Sequence, residues 1–373
     1  MASEKVPTST GQVPRHPYSP LQKGHIRLLR LMPHSDQDAA IRCELFDHRF
    51  DDINPRKGTH LYEALSYVWG SGDKPMMIFT ESNCLPVGRN LYEALKRLRD
   101  CTLPRIIWID AICINQNDNK EREQQVGCMA EIYARASRVI IWLEETEVER
   151  FQGSRQVMTN GDHAFKIIDS AARDDQLTEL SHVDREAVLA LLRRSWFERI
   201  WVLQEVAAAR HVVIMSLGME MDGYAFYLGW SKLKLALGEL NLQSRVSSAA
   251  DLMKDAVLRP KCATSRSDRV SLDIHPLGTL MDLYHDRKAT DRLDKVYALL
   301  GMSSDAPTYI TPKYDARWGD IFRQLIRSSI GEQASVKTWD QNQLAIIQSK
   351  GCVLGEVATT DYFQGNGQRL GIR

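Results

Sequence analysis

The sequence has no net charge, no cysteine pairing pattern and no long uninterrupted apolar run. Its 48 Lys and Arg residues balance 48 Asp and Glu residues, so no bulk field exists to hold nucleic acid or an anionic membrane, and we expect neither partner. The seven cysteines include no C-x-x-C pair and no Cys/His group with the spacing of zinc ligands, so no metal site is predicted. Charges interrupt the most apolar stretch, and the N-terminus lacks the apolar region of a signal peptide. We therefore expect a soluble, cytoplasmic protein with reduced thiols.

The common catalytic motifs are missing as well. No P-loop, nucleophile elbow or zinc-protease motif occurs, and the ten histidines do not cluster. Gly70-Ser-Gly72 follows a predicted strand but lacks the third glycine of a dinucleotide-binding fingerprint. Walker-type NTPases and hydrolases with a serine triad are therefore disfavoured.

The hydrophobic pattern, in contrast, is clear from residue 62 onward. Short apolar runs at 64–69, 106–109 and 139–143 predict buried strands, and helical stripes lie between them. This β-α-β-α-β order is typical of an α/β fold with a doubly wound, mostly parallel sheet flanked by helices.

The 373 residues divide into segments of different composition. They are a Pro-rich tail predicted to be disordered (1–24), an N-terminal β segment holding two strands (25–60), the α/β core (62–206), a mainly helical extension (207–335), and a C-terminal β segment and tail (336–373). Inside the core, residues 144–183 are polar and irregular and are predicted to be an insertion. Residues 344–347 and 352–354 are predicted to pair as β-strands.

Two acidic residues are candidate site residues. Asp110 follows a predicted central strand, where open α/β sheets bind ligands, although a cap or turn role explains it equally well. Glu205 lies on a predicted helix beside Trp201, on a side that is itself apolar. A buried carboxylate needs a partner or a cleft, so Glu205 is either functional or part of a structural ion pair with Arg194 or Arg199.

Tryptophan is the one residue type in unusual supply, with eight in the chain. Five of them lie at 69, 108, 142, 196 and 201, within the core segment. A tryptophan on a strand or helix usually packs in the core, and one at a strand end or on a cleft helix can instead stack on a planar ring.

Five segments of the chain resemble the successive motifs of the fungal heterokaryon incompatibility (HET) domain. They are Tyr62–Gly70 (YEALSYVWG), Trp108–Gln116 (WIDAICINQ), residues 121–133, residues 136–143, and Trp196–Glu205 (WFERIWVLQE). Their order and spacing also fit, and residues 289–301 and 350–355 resemble segments that commonly follow this domain. The resemblance implies a HET domain over residues 62–206 and a role in self/non-self recognition and cell-death signalling.

A more distant resemblance connects this domain to the Toll/interleukin-1 receptor (TIR) domain. Trp201–Val206 matches a helical Trp-Cys-Leu-x-Glu-Leu pattern at its Trp, Leu and Glu positions. The resemblance implies a TIR-like (flavodoxin-like) fold and places Glu205 as the catalytic residue of an NAD glycohydrolase, with NAD as substrate and no cofactor. It also implies that Asp110 and Asn115 contact ribose or phosphate, and that Trp108 or Trp201 stacks on a ring of the dinucleotide.

The chemistry of NAD cleavage agrees with this residue set. Nicotinamide leaves as a neutral group through an oxocarbenium-like transition state, so one carboxylate in a dry cleft suffices. The alternative is a non-catalytic interaction module that signals through self-association or through other incompatibility proteins. In that case Glu205 is a structural residue.

Overall fold

The computed structural model describes residues 13–50, 61–144, 160–173, 180–237, 239–256, 271–307, 309–338, 345–350, 357–363 and 367–372. Its strands, in chain order, are β1 (His25–Leu31), β2 (Cys43–Arg49), β3 (Glu63–Ser66), β4 (Met76–Phe79), β5 (Cys84–Val87), β6 (Arg105–Trp108), β7 (Val139–Trp142), β8 (Val212–Met215), β9 (Glu220–Asp222), β10 (Ser335–Thr338), β11 (Ala345–Gln348), β12 (Val357–Phe363) and β13 (Gly367–Ile372).

The α-helices of the described residues come in the same order. They are α1 (Arg89–Leu98), α2 (Asp110–Cys113), α3 (Asn119–Gly127), α4 (Met129–Arg135), α5 (Asn160–Arg173), α6 (His182–Leu192), α7 (Trp201–Ala208), α8 (Gly223–Leu237), α9 (Leu240–Ala256), α10 (Leu277–Leu283), α11 (Asp294–Leu300) and α12 (Trp318–Ile330). A short 3₁₀ helix, Ser195–Glu198, precedes α7.

A seven-stranded sheet forms the centre of the fold, in the spatial order β2-β1-β6-β3-β7-β8-β9. The four middle strands are parallel, because β3 pairs in parallel with β6 and β7, and β7 pairs in parallel with β8. The chain runs from β3 to β6 on one side and then to β7 on the other, which is the strand order of flavodoxin-like sheets. The mostly parallel α/β sheet predicted from the sequence is confirmed.

The N-terminal strands belong to this sheet. β1 pairs antiparallel with both β2 and β6, so the two strands extend the parallel core at one edge. Residues 13–24, part of the segment predicted to be a disordered tail, contact the folded protein. Backbone bonds join His16 and Pro14 to Cys84, and the Tyr18 hydroxyl donates to the carbonyl of Ile112 at 2.9 Å. Local composition did not show these contacts because their partners lie far away in sequence.

Helices cover the sheet with apolar faces. Helix α1 buries Leu91, Ala94, Leu95 and Leu98, which recur at helical spacing. Helix α7 is buried from Val202 to Ala208, so it is covered on all sides as its sequence predicted. Helix α1 follows its N-cap Gly88, and Asn90 lies within its first turn, where its side chain does not bond the helix backbone. Its amide instead donates to the Val68 carbonyl at 2.7 Å and accepts the indole N–H of Trp142 at 2.8 Å.

Two segments differ from their predicted structure. Residues 160–173 of the predicted insertion form helix α5, which packs on α6 and α8 through buried Ala164, Phe165, Ile168 and Ala171. Strand β11 covers most of the predicted strand at 344–347, and its partner is β10. The predicted partner, residues 352–354, lies outside the described residues.

The C-terminal part is mainly helical, as predicted, and packs onto the sheet domain through α7. Within the described ranges, no helix combines the length and apolar character needed to cross a membrane.

Candidate functional site

A cleft of about 870 Å³ opens at the carboxyl edge of the parallel strands. Its walls include residues just after β3, the segment after β6, helix α3 and the start of α7. The opposite wall comes from the C-terminal part, through residues 288–294 and Tyr314. Open α/β sheets bind ligands at this edge, and the volume falls within the range of about 300–1,000 Å³ that small-molecule sites occupy.

Asp110 is the carboxylate of the sheet domain that lines this cleft. It begins helix α2, directly beyond β6, and accepts the backbone N–H of Ala111 at 2.7 Å. The indole of Trp69 donates to its other oxygen at 2.9 Å, and Trp69 is 42% exposed. Burial raises the pKa of Asp110, while the charge of Arg199 and the Trp69 hydrogen bond lower it. Asp110 therefore has both of the roles considered from the sequence: it bonds the backbone of its own turn, and it lines the cleft.

Glu205 lies beneath the cleft and does not line it. Its side chain is buried at 1% exposure and accepts a hydrogen bond from the Ser66 hydroxyl, at the end of β3. Ser66 in turn accepts the indole N–H of Trp196 at 2.8 Å. Since an indole N–H only donates, the Ser66 proton is directed to Glu205. Trp196, Ser66 and Glu205 form a buried polar chain, which we call the Ser66 relay.

Burial is the main reason why the Glu205 carboxyl is hard to ionise. It raises the pKa of Glu205 to about 7, and the negative charge of Asp110 acts in the same direction. The charge of Arg199 and the hydrogen bond from Ser66 oppose the rise. Within the described part of the chain, no basic side chain forms an ion pair with Glu205, so the structural ion pair considered from the sequence is absent there.

Arg199 connects Glu205 to the cleft. It lines the cleft, its guanidinium donates to the Tyr67 carbonyl, and its charge lowers the pKa values of both Asp110 and Glu205. Its backbone also forms a β-bridge with Lys288 of the C-terminal part. Asp110 and Glu205 therefore both interact electrostatically with Arg199, which is held by the Tyr67 carbonyl in the sheet domain and by the backbone of Lys288 in the C-terminal part.

The C-terminal wall is fastened to the sheet domain through Asp294. The Tyr314 hydroxyl donates to Asp294 at 2.9 Å, and the indole of Trp201 donates to the same carboxylate. These two bonds oppose the rise in the pKa of Asp294 that burial causes. The Arg122 guanidinium lies 3.7 Å from the centre of the Tyr314 ring. Side chains from both parts of the chain therefore build one continuous cleft surface.

A buried ion pair supports the segment that follows Asp110. Arg27 and Glu121 meet at 2.8 Å with side-chain exposures of 3% and 5%. Arg27 also donates to the Cys113 carbonyl at 2.9 Å, and Glu121 accepts the backbone N–H of Asn115 at 2.7 Å. Because both partners bond to this segment, the pair fixes the path of residues 113–115.

The structure brings together some of the residues that the sequence singled out. Asp110 and Trp201 line the cleft, and Glu205 lies one helical turn beyond Trp201. Asn115 follows Ile114 of the cleft wall, and its side-chain oxygen accepts the Asn117 backbone N–H at 3.2 Å. Trp108 is fully buried and packs edge-on against Tyr133 at 5.4 Å, so its ring lies in the core and not in the cleft.

Several residues of the cleft are not among the candidate site residues predicted from the sequence. They are Trp69 as a partner of Asp110, Arg122, Arg199 as a cleft residue, Arg292, Asp294 and Tyr314. A signal existed for Arg292 and Asp294, because they fall in residues 289–301, which resemble a segment that commonly follows the domain. Arg122 likewise falls in the motif segment 121–133, and no local pattern marks Tyr314.

These features define an α/β protein with a ligand-sized cleft at the carboxyl edge of a parallel sheet, completed by a helical C-terminal part. Residues 62–205 match the family described as Heterokaryon incompatibility protein (HET). The family match thus lies in residues 62–205, and the resemblance to a HET domain read from the motifs of this segment is confirmed.

A curated relative extends the similarity beyond the domain. The chain is 26% identical over 377 residues to Heterokaryon incompatibility protein 6, OR allele, of Neurospora crassa, with 82% of this chain and 52% of that protein covered. It thus spans about half the length of this relative. No solved structure matches the chain.

Proposed function

We propose that this protein acts in self/non-self recognition and cell-death signalling, and that its HET domain does so by cleaving NAD in the cleft. The family and the Neurospora relative support the recognition role. The composition of the cleft supports the chemistry and is the observation that carries the proposal. It combines carboxylates, arginines and the rings of Trp69, Trp201 and Tyr314, which are the groups that a dinucleotide requires.

The reaction breaks the bond between the ribose C1′ and the nicotinamide nitrogen. Water adds to C1′, nicotinamide leaves with the bonding electron pair, and ADP-ribose and one proton are the other products. Positive charge develops on the ribose ring in the transition state, so a nearby carboxylate lowers the barrier. Asp110 faces the cleft and is placed to accept hydrogen bonds from ribose hydroxyls.

In this scheme, Glu205 exchanges its hydrogen-bond partner when the substrate binds. It accepts one alcohol donor, the Ser66 hydroxyl, and a ribose hydroxyl offers the same chemistry. The proposal is that the bound substrate replaces Ser66 and that ionised Glu205 then stabilises the oxocarbenium ion. The TIR-like arrangement of Trp201 and Glu205 on one helix agrees with this role.

The burial of Glu205 favours a second candidate function. At 1% exposure and bonded to Ser66, Glu205 also fits a structural residue of a non-catalytic module that signals by self-association. The two functions predict different behaviour of the purified protein.

A measurement of nicotinamide release distinguishes the two candidate functions. The full chain is incubated with NAD over a range of protein concentrations, the products are separated by chromatography, and light scattering reports the oligomeric state. Nicotinamide and ADP-ribose in equal amounts, lost in Glu205→Gln but kept in the exposed control Glu186→Gln, support NAD cleavage. Self-association without any NAD turnover supports the module and overturns the catalytic proposal.

A further inference from the structure

Two arginines of the cleft lie over aromatic rings. The Arg122 guanidinium is 3.7 Å from the centre of the Tyr314 ring, and that of Arg292 is 4.5 Å from the centre of the Trp318 ring. Both arginines line the cleft, one from the sheet domain and one from the C-terminal part. A stacked guanidinium keeps its N–H donors in the plane of the group, where they can bind a phosphate with two parallel bonds.

Neither arginine is neutralised by contact with a carboxylate. Among the residues that the structure describes, the side chains of Arg122 and Arg292 form no ion pair and no hydrogen bond. The Nε of Arg122 is buried without a partner, although its guanidinium borders the cleft. Buried donors without partners are rare in folded proteins because they are costly, and a bound ligand removes that cost.

The carboxylates of the cleft are satisfied by neutral donors instead. The donors are Trp69 and the Ala111 backbone for Asp110, the Leu293 backbone for Asp291, and Tyr314 and Trp201 for Asp294. Negative groups therefore lie in the cleft without using the donors of either arginine. Lys288, a further cation of the lining, is already paired with Glu198 at 2.7 Å.

We infer that Arg122 and Arg292 form a diphosphate site, so that the cleft binds dinucleotides through their pyrophosphate and requires the C-terminal part for it. The inference rests on the proposed function for the identity of the dinucleotide. Tyr314 connects the two sides, because it supports Arg122 and bonds Asp294, two residues beyond Arg292. The residues outside the family-matched range 62–205 thereby contribute directly to ligand binding.

Calorimetry with ADP-ribose tests this inference without any need for turnover. The full chain is expected to bind ADP-ribose more tightly than adenosine, with an affinity that falls as NaCl is raised. Arg122→Gln and Arg292→Gln are each expected to weaken ADP-ribose binding by about ten- to a hundredfold, the usual loss for a hydrogen bond to a charged group. Arg323→Gln, on the exposed surface of α12, is the matched control and should bind as the parent does.

The outcomes separate this inference from the proposed function. Binding of ADP-ribose that depends on both arginines supports the diphosphate site even where NAD is not cleaved. Arg292 is exposed, so Arg292→Gln is expected to fold as the parent does, which circular dichroism checks. Equal ADP-ribose affinity in the parent and in folded Arg292→Gln overturns the inference even where NAD is cleaved. Inorganic pyrophosphate should compete only at higher concentration, and tighter binding of pyrophosphate than of ADP-ribose would contradict a dinucleotide ligand.

Discussion

The Ser66 hydroxyl donates a hydrogen bond to the carboxylate of Glu205, although the two residues are 139 positions apart in the sequence. Ser66 ends the first parallel strand and Glu205 lies on the helix after the large insertion, so the bond joins the first and last motifs of the HET domain. Trp196 donates to the same hydroxyl and directs its proton to Glu205. The Ser66 relay thus favours the ionised form of Glu205 against the larger effect of burial, and the proposed chemistry depends on that form.

The first prediction concerns Ser66. The Ser66 bond lowers the pKa of Glu205, which burial raises to about 7, so Ser66→Ala is expected to raise that pKa further. If ionised Glu205 is required, NAD cleavage rises with pH through this pKa, and the acidic limb of the kcat/KM profile, which reports the free enzyme, moves to higher pH in Ser66→Ala. Ser66→Thr, which keeps the hydroxyl, is the control. An acidic limb at the same pH in all three proteins would show that the relay does not act on catalysis.

The second prediction concerns the stability cost of Glu205. The pKa is about 7 in the folded protein against an ordinary value of 4.5, so the folded state binds more protons between these pH values. Stability contributed by the protonated group is therefore present below about pH 4.5 and is lost as pH rises through 7. The Glu205→Gln side chain cannot ionise, so the variant does not lose this stability as pH rises. Its free energy of unfolding is expected to exceed that of the parent by on the order of 3 kcal/mol at pH 8 and about 1 kcal/mol at pH 5.

Urea unfolding at the two pH values measures this difference. Exposed Glu186→Gln serves as the control and should show no pH-dependent gain. A Glu205→Gln variant that is less stable than the parent at pH 8 would mean that the ionised carboxylate is a net stabilising group, which the structure does not support.

The third prediction concerns the Arg27–Glu121 pair. Glu121→Gln leaves the Arg27 charge buried without its counter-ion, which is expected to cost about 3–5 kcal/mol of folding free energy. The double variant Arg27→Met/Glu121→Leu removes both charges and should recover much of this loss. Urea unfolding of the parent, of Arg27→Met, of Glu121→Leu and of the double variant measures the coupling. Independent, additive losses would show that the two side chains do not act as a pair.

The fourth prediction concerns Trp69. Its indole bonds Asp110 and is 42% exposed at the cleft, so its fluorescence should change when ADP-ribose binds. Trp69→Phe retains an aromatic ring and removes the N–H donor, and it is expected to weaken binding of the dinucleotide severalfold and to raise the pKa of Asp110. The control is Trp230→Phe, because Trp230 is buried and does not line the cleft. Trp318 is unsuitable because its ring lies against Arg292. An unchanged affinity in Trp69→Phe would exclude a role for the Trp69–Asp110 bond in binding.

Much of the fold follows from local patterns. Fully apolar runs such as Val139–Trp142 predict buried parallel strands because both faces of such strands are covered. Helix α5 was missed because its buried residues lie in a segment rich in polar residues, where composition masked the helical stripe. The contacts of residues 14–18 were missed because a Pro-rich composition carries no information about distant partners.

The site was predictable only in part, because several of its contacts join residues that are distant in the sequence. Asp110 and Glu205 were found from their positions at a strand end and on an apolar helix. Trp69 and Trp108 look alike in the sequence, yet Trp69 is 42% exposed and Trp108 is fully buried. Their positions relative to the strands explain the difference in exposure, since Trp108 is the last residue of β6 and Trp69 lies beyond the end of β3. The convergence of Arg122, Tyr314 and Asp294 depends on tertiary packing, which no local pattern encodes.

The most direct test of the account is the rate of nicotinamide release from NAD by the parent and by Glu205→Gln, measured side by side at pH 8. At this pH Glu205 is mostly ionised in the parent, and the variant is expected to be at least as stable. If Glu205 stabilises the transition state, the parent releases nicotinamide at a measurable rate, and kcat falls by about a hundredfold or more in the variant, the usual scale for loss of an electrostatic stabiliser. Equal kcat values in the two folded proteins would contradict this role of Glu205.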